Sequence, residues 1–166
     1  PRVRAAVEAA GTGLIVAPNF SVGVALFTRI VQQAAALVDA LEDWDVALHE
    51  AHHRHKADAP SGTARLLAET VLGEVARKQR WSLELGSGPI APEVLQVGVT
   101  RAGEIPGTHT VHLEGVHDSI ELTHRARDRG GFARGALEAA LWLRGRAGMF
   151  SLDDWLDERF GVGAAG

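Results

Sequence analysis

Residues 44–80, WDVALHEAHHRHKADAPSGTARLLAETVLGEVARKQR, decide the fold because they join a strand pattern to a helix pattern through a histidine-rich segment. Residues 44–49 alternate apolar with polar or small side chains, which is typical of a half-buried strand. The turn and cap residues DAPSGT, at 58–63, precede a helical pattern. The histidine-rich segment 49–56 is therefore predicted to lie between the end of a strand and the start of a helix.

The sequence on either side of this stretch continues to alternate between helix and strand patterns. Upstream, a helix end near residues 3–10 and an apolar run at 14–17 precede a long amphipathic helix, which Ser21 is expected to cap. Downstream, the patterns predict a strand at 95–99, a hairpin over 108–125, a helix from Phe132 and a short helix that Ser151 caps. We expect an α+β fold with a mixed, largely antiparallel open sheet flanked by helices.

The composition argues against several classes of protein. Cysteine is absent, which excludes disulfide scaffolds, thiolate zinc sites and cysteine nucleophiles and makes the cytoplasm the expected location. A net charge of −4, without long runs of one sign, argues against a nucleic-acid surface. The most apolar stretch, Gly13 to Phe27, is interrupted by Pro18 and falls short of the ~20 residues that a membrane span needs. We expect neither a nucleic-acid partner nor a membrane segment.

The histidine-rich segment and the helix start after it together predict an anion site. Segment 49–56, HEAHHRHK, holds four His, one Arg and one Lys. Lys56 supplies a cation, and the first amides of the following helix, at Ser61, Gly62 and Thr63, are expected to point toward an anion. Histidine can donate or accept a proton near neutral pH. An anion site beside a proton donor suits the reduction of an acidic imine.

Three other interpretations compete with this one. A Pro-Ser-Gly step usually does no more than cap a helix, and a basic tract is usually a solvated face. The segment from His49 to His53 also satisfies the H-E-x-x-H pattern of zinc proteases, which binds metal only on a helix. In a strand, His49 and His53 would lie about 13 Å apart and could not share a zinc ion. We therefore expect no metal site.

A longer set of motifs resembles the dihydrodipicolinate reductase (4-hydroxy-tetrahydrodipicolinate reductase) family. The resemblance implies a reductase in which NADPH or NADH delivers hydride to a cyclic dicarboxylate imine, giving tetrahydrodipicolinate for diaminopimelate and lysine synthesis. It also implies a homotetramer built on the sheet. The matching motifs are EAHHRHKADAPSGTA (50–64), APNFSVGV (17–24), RAGEIPGTHTVHLEG (101–115), IELTHRA (120–126) and FARGALEAALWLRG (132–145).

By motif position, the resemblance implies a role for each site residue. His52 is the expected general acid, and Lys56 a second proton donor or charge stabiliser. The residues expected to hold the small dicarboxylate substrate are His53, Lys56, Ser61, Gly62 and Thr63. The segment expected to pass the nicotinamide is Ala17, Pro18, Asn19 and Phe20, although Pro18 has no N–H to donate to a cofactor. Strict strand alternation places His52 and Lys56 on one face and His53 on the other, so the backbone must leave strand geometry near His53.

The resemblance also implies a division into domains. No G-x-G-x-x-G follows a strand and opens a helix, so the loop that holds a dinucleotide pyrophosphate is missing. We expect residues 1–20 to be the last helix and strand of an otherwise missing Rossmann-type domain, with its hinge. Residues 21–150 are expected to bind substrate and oligomerise, and 151–166 to form a helix that packs toward the nucleotide domain, with a disordered GVGAAG tail. The chain is expected to be a fragment or truncated homologue that is inactive and binds no cofactor tightly alone. The alternative is a non-catalytic anion-binding or oligomerising module.

Overall fold

A computed structural model describes residues 2–161 of the chain. The tail for which we predict disorder lies outside the described residues from residue 162 onward. The helices and strands follow in this order: α1 (Arg2–Ala9), β1 (Gly13–Val16), α2 (Val22–Asp39), β2 (Asp45–His52), α3 (Gly62–Glu74), β3 (Arg80–Ser82), β4 (Val94–Arg101), β5 (Thr108–Glu114), β6 (Ser119–Arg125), α4 (Gly130–Leu143), β7 (Gly148–Ser151) and α5 (Leu152–Phe160).

The chain divides into two compact units. The central unit comprises Leu26–Asp128, and the terminal unit comprises the described residues on either side of it, 2–25 and 129–161. The domain boundaries that we predict at residues 20 and 150 concern a complete enzyme, and they stay a prediction.

The central unit is built on a five-stranded sheet in the order β3-β4-β2-β5-β6. Strands β3, β4 and β2 run parallel to one another, whereas β2 with β5 and β5 with β6 are antiparallel. The predicted hairpin is the β5–β6 pair, which a bond from the Gly115 amide to the Asp118 carbonyl closes at 2.9 Å. The predicted α+β fold with a mixed open sheet is confirmed, and two of its four strand pairings are antiparallel.

The core of the central unit lies on one face of this sheet because β2 alternates strictly. Val46 and Leu48 of β2 point into the core, and the neighbouring strands β4 and β5 add Val97, Val111 and Leu113. The two helices α2 and α3 pack on the same face and supply most of the remaining core: Phe27, Val31, Ala35, Val38, Leu67 and Val71. Each of the buried Val, Leu and Phe side chains contributes roughly 1.5–3 kcal/mol by leaving water. The core thus fixes which side chains of β2 point inward.

The structure differs from the sequence-based boundaries on either side of the histidine-rich segment. Strand β2 continues to His52, three residues past the predicted alternation. Helix α3 ends at Glu74, whereas the predicted helix pattern continues to Arg80, which the structure places at the start of strand β3. The reason is tertiary, since the buried Lys78 Nζ donates to the carbonyls of Pro92 at 2.9 Å and Val94 at 3.0 Å.

Helix α2 is capped as predicted, with the Ser21 hydroxyl accepting from the Val24 amide at 3.3 Å. Its 18 residues are long and apolar enough, by length and composition, to cross a membrane. Phe27 and Val31 are nevertheless buried in the core of the central unit, whereas Leu37 is 73% exposed. An amphipathic core helix also has this composition. Our expectation of no membrane segment stays a prediction.

The terminal unit has its own small sheet and core. Strand β1 pairs in parallel with β7, which the sequence patterns do not predict. Helices α4 and α5 pack Ala139, Trp155 and Leu156 against Ile15 and Phe20. The predicted capping box of α5 is confirmed, with the Ser151 side chain accepting from Asp154 N and the Asp154 side chain accepting from Ser151 N.

Candidate functional site

The candidate site lies where the parallel strands β2 and β4 end side by side. His52 and Arg101 are the last residues of these strands and are register partners. After His52 the chain makes a turn, in which the Lys56 amide donates to the His53 carbonyl at 3.1 Å, and it then reaches Ser61, the N-cap of α3. The carboxyl ends of parallel strands next to a helix N-terminus are a common position for ligand sites. The backbone leaves strand geometry at His53, as the alternation argument requires.

Glu50 lies at the centre of a buried polar cluster. It shares the inward face of β2 with Leu48, and its side chain is fully buried. One oxygen, Oε1, accepts from the Ser61 amide at 3.0 Å and from Arg101 Nη2 at 2.7 Å. The other, Oε2, lies 3.3 Å from His52 Nδ1 and 3.6 Å from His109 Nε2. We call Glu50, His52, Ser61, Arg101 and His109 the buried polar cluster.

The surroundings of Glu50 keep its carboxylate ionised. Burial alone would raise its pKa, but hydrogen bonds from His109, Ser61 and Arg101 outweigh burial and hold the pKa well below its ordinary value. The cluster therefore contains a fixed negative charge balanced by the guanidinium of Arg101. Removing either member of this pair would leave an uncompensated buried charge and would destabilise the fold.

His109 joins the cluster through the register of the sheet. It lies opposite Glu50 on β5, and His124 of β6 lies opposite His109. His109 Nε2 is 3.1 Å from the Ser61 hydroxyl, and its ring packs edge-on against His52 with centroids 5.1 Å apart. The row continues to His124, whose ring centroid is 6.4 Å from that of His109. Three histidines thus line one face of the sheet.

His52, the predicted general acid, is buried and neutral at neutral pH. Burial is the main cause that lowers its pKa, and the charges of His109, Lys56 and Arg101 add to the decrease; with the opposing attraction of Glu50 included, the pKa is about 4. Its ring also touches Gly107, which has a φ of +140°, so that an added Cβ would lie 3.2 Å from His52 Nε2. Glycine is needed there both for the backbone conformation and for the close approach to the imidazole.

The predicted anion-binding residues surround this cluster, with one difference at Ser61. The Ser61 amide is not free, because it donates to Glu50, and the Ser61 hydroxyl accepts from the Ala64 amide at 3.1 Å. Within residues 2–161, the amides of Gly62 and Thr63 have no hydrogen-bond partner. Two amides, rather than three, therefore remain to meet an anion at the start of α3.

Lys56 and His53 lie in the turn between β2 and α3. Lys56 Nζ pairs with Asp58 Oδ1 at 2.7 Å, and this hydrogen bond lowers the pKa of Asp58. Arg101 Nη2 donates to the Asp58 carbonyl at 2.8 Å, which ties the turn to the buried polar cluster. His53 is half-buried, and its ring centroid is 6.2 Å from that of His55. Both roles, in proton donation and in carboxylate binding, stay predictions.

The predicted cofactor segment belongs to the terminal unit. Asn19 Oδ1 accepts from the Ser21 amide at 2.9 Å, and Ala17 and Phe20 pack against the core of that unit. Pro18 is exposed. The role of these four residues in cofactor binding stays a prediction.

The zinc-protease interpretation fails on geometry. His49 lies within strand β2 rather than on a helix, and its Nε2 is 3.0 Å from the Thr100 hydroxyl. A different group, Glu50, His52 and His109, does bring its ligand atoms within 4.8 Å of one another. Arg101 already supplies the positive charge beside that carboxylate, which favours a hydrogen-bonded network over a bound cation.

Four residues on this face of the sheet are not predicted as site residues from the sequence: Glu50, Arg101, His109 and His124. A clue was available for His109, since it alternates with Val111 and Leu113 and so shares their inward face. Polar residues that fall in phase with a core face are unusual, and buried ones need partners. No comparable pattern in the sequence pointed to Arg101.

The fold and the site together define an α+β domain with a buried polar cluster at the carboxyl ends of its parallel strands. The fold is similar to that of the dipicolinate-bound dihydrodipicolinate reductase from Paenisporosarcina sp., with a TM-score of 0.70 and 24% sequence identity, over 90% of this chain and 57% of that chain. The family model "Dihydrodipicolinate reductase, C-terminus" matches residues 23–156. The chain belongs to this family, and the resemblance is confirmed.

Curated relatives of the chain carry the name of the same family. The chain is 39% identical to the 4-hydroxy-tetrahydrodipicolinate reductase of Neisseria meningitidis serogroup A over 158 residues, which cover 93% of this chain and 57% of the relative. It is also 39% identical to that of Christiangramia forsetii, over 90% of this chain and 61% of the relative. The chain therefore spans about three-fifths of the length of these relatives.

The stability of the central unit is expected to fall as the pH drops below about 6.5. The pKa of His52 is about 4 in the folded chain and 6.5 when unperturbed, so between these values the unfolded chain binds more protons. The contribution of neutral His52 to the free energy of unfolding is complete above pH 6.5, and it is lost as the pH falls toward 4. Glu50, whose pKa is lowered in the folded chain, adds a further loss of stability as the pH falls below 4.5, the ordinary pKa of a glutamate.

The measurement is the free energy of unfolding in denaturant at pH 7.5 and pH 5.0. We expect the wild type to lose about 2 kcal/mol more than His52→Gln between these two conditions. His117→Gln, which changes an exposed histidine, should keep the wild-type pH dependence. Equal losses in the wild type and His52→Gln would contradict a buried, neutral His52.

Proposed function

We propose that this chain is the substrate-binding part of a 4-hydroxy-tetrahydrodipicolinate reductase, an oxidoreductase of diaminopimelate and lysine biosynthesis. The whole enzyme reduces a cyclic dicarboxylate imine with NADPH or NADH. The observation that carries this proposal is the position of His52, beside a lysine-bearing turn and a helix start with two free amides. Family membership supports the same reaction.

The residues of this chain bind the substrate and supply a proton. Lys56 offers an ammonium group, and the amides of Gly62 and Thr63 add the partial positive charge of the start of α3, which has 13 residues. His53 completes the carboxylate-binding group, whereas the Ser61 hydroxyl, which accepts from the Ala64 amide and lies 3.1 Å from His109 Nε2, holds the start of α3 in place. A bound dianion would raise the pKa of His52, because negative charge favours the imidazolium form. His52 could then donate a proton near neutral pH.

The cofactor, the assembly and the location remain proposals as well. A nicotinamide cofactor would supply hydride in the complete enzyme. This sequence has no G-x-G-x-x-G that follows a strand and opens a helix, so the residues present do not fit its pyrophosphate, and we expect no tight binding to this chain. We propose that the protein acts in the cytoplasm.

A homotetramer is proposed on the sheet face opposite the core of the central unit. That face carries small or half-buried side chains of β2, such as Ala47 and Ala51. Among the described residues of the central unit, the helices contribute core side chains to the other face. A sheet face left open in this way is suited to contact with a second copy of the chain.

Calorimetry with pyridine-2,6-dicarboxylate tests the substrate site. We expect weak binding to the chain, and Lys56→Ala is expected to weaken it roughly 10- to 100-fold, because a charge-assisted hydrogen bond is worth about 1.5–3 kcal/mol. Arg54→Ala is the matched control, since it removes an exposed cation from the same turn. Absence of binding, or equal binding by the wild type and Lys56→Ala, would contradict the proposed site.

A further inference from the structure

A single carboxylate oxygen in the buried polar cluster faces two imidazole rings through different nitrogens. Glu50 Oε2 lies 3.3 Å from Nδ1 of His52 and 3.6 Å from Nε2 of His109. The Oε2 atom and the His52 Nδ1 atom are both buried, and neither makes a hydrogen bond of standard geometry among the described residues, so their 3.3 Å separation is a close electrostatic contact. This contact therefore determines where the protons of the two rings reside.

The proton of His109 can be assigned from its neighbours. The Ser61 oxygen accepts from the Ala64 amide and lies 3.1 Å from His109 Nε2, while the Ser61 hydroxyl hydrogen can point toward Glu50. A lone pair on His109 Nε2 would face the lone pairs of the carboxylate, which is unfavourable at 3.6 Å in a buried site. A hydrogen on Nε2 instead donates to the Ser61 oxygen at 3.1 Å and is attracted to the nearby Glu50 Oε2. His109 is thus in its Nε2–H form.

The same reasoning assigns the opposite form to His52. Its Nδ1 faces Glu50 Oε2, so a lone pair on Nδ1 would leave two buried acceptors opposed to each other. With hydrogen on Nδ1, the lone pair is on Nε2, beside Gly107. The second hydrogen-bonding group of a functional histidine commonly fixes its tautomer in this way.

We propose that Glu50 is a positioning residue that holds His52 as the Nδ1–H tautomer and His109 as the Nε2–H tautomer, leaving Nε2 of His52 to exchange a proton with the substrate. The part of this inference that concerns the substrate rests on the proposed function. In that step, Nε2 of the imidazolium gives its proton to the substrate carbon that carries the electron pair. The N–H bond breaks, a C–H bond forms, and His52 returns to the neutral Nδ1–H form that Glu50 holds.

Imidazole ¹⁵N chemical shifts test the assignment directly on the chain of 166 residues. Long-range ¹H–¹⁵N correlation at pH 7.5 distinguishes a protonated ring nitrogen from one with a lone pair, and loss of signals in His52→Gln and His109→Gln identifies the two rings. We expect a protonated Nδ1 in His52 and a protonated Nε2 in His109. The opposite form of either ring, or an averaged signal in His52, would overturn the proposal.

Glu50→Gln tests the role of the carboxylate, and the wild-type tautomers decide the matter if this variant does not fold. We expect Glu50→Gln to shift the His52 nitrogen signals toward averaged or reversed tautomers, whereas unchanged signals would overturn the proposal. Glu104→Gln is the control, because Glu104 contacts the exposed His55 at 3.7 Å, and it should leave His52 unchanged. Failure of this proposal would leave dicarboxylate binding intact, and failure of the proposed function would leave the tautomers intact.

Discussion

Replacing Glu50 with alanine is expected to destabilise the central unit by about 3–5 kcal/mol, the usual cost of removing one member of a buried ion pair. The substitution removes the carboxylate that pairs with Arg101, whose side chain is only 18% exposed. It also leaves the buried amide of Ser61 without an acceptor. A protein is commonly stable by only 5–15 kcal/mol, so this loss is a large part of the total.

Hydrogen exchange of the β2 and β5 amides is the suitable measurement, because it reports the opening of the central unit separately from that of the terminal unit. Glu50→Gln keeps the shape of the side chain but not its charge, and we expect a smaller loss of about 1–3 kcal/mol. Glu114→Ala is the control, since it changes an exposed glutamate at the end of β5, and it should stay within about 0.5 kcal/mol of the wild type. Equal exchange in Glu50→Ala and Glu114→Ala would show that the ion pair does not support the fold.

Local patterns predicted most elements of the central unit, but not strand β3 and not the points where β2 and α3 end. The alternation of β2 was visible as far as His49 and was then obscured, because the inward positions at Glu50 and His52 are polar. Helix propensity predicted too long an α3, because the bonds that hold Lys78 come from the carbonyls of Pro92 and Val94, farther along the chain. Tertiary contacts override propensity in such places.

The candidate site also has one part that the sequence predicts and another part that only the fold brings together. His52, Lys56 and Ser61 lie within one short segment, so their types and order already indicated an anion site. Arg101 lies 51 residues from Glu50, and His109 lies 48 residues from Ser61. Only the pairing of β2 with β4 and β5 brings these side chains together, and that register cannot be derived from the spacing of residues along the chain.

Gly135→Ala is expected to destabilise the terminal unit by about 1–3 kcal/mol, the usual cost of overpacking a tight contact. Propensity alone gives the opposite sign, since alanine in a helix interior is favoured over glycine by about 1 kcal/mol. Gly135 is buried within α4, and an added Cβ would overlap the carbonyl oxygen of Phe20. Backbone atoms cannot move aside as a flexible side chain does, so steric overlap outweighs propensity.

Gly131→Ala in the same helix separates the two effects, because a Cβ at Gly131 would meet nothing within 4 Å. We expect this control to be neutral or to stabilise α4 by up to about 1 kcal/mol. Hydrogen exchange of the α4 and α5 amides measures both variants in the terminal unit. If Gly135→Ala matched Gly131→Ala, the close approach of α4 to Phe20 would be disproved. If Gly135→Ala destabilises the terminal unit and Gly131→Ala does not, then Gly135 is required because of its contact with Phe20. The sequence of α4 by itself does not reveal this requirement.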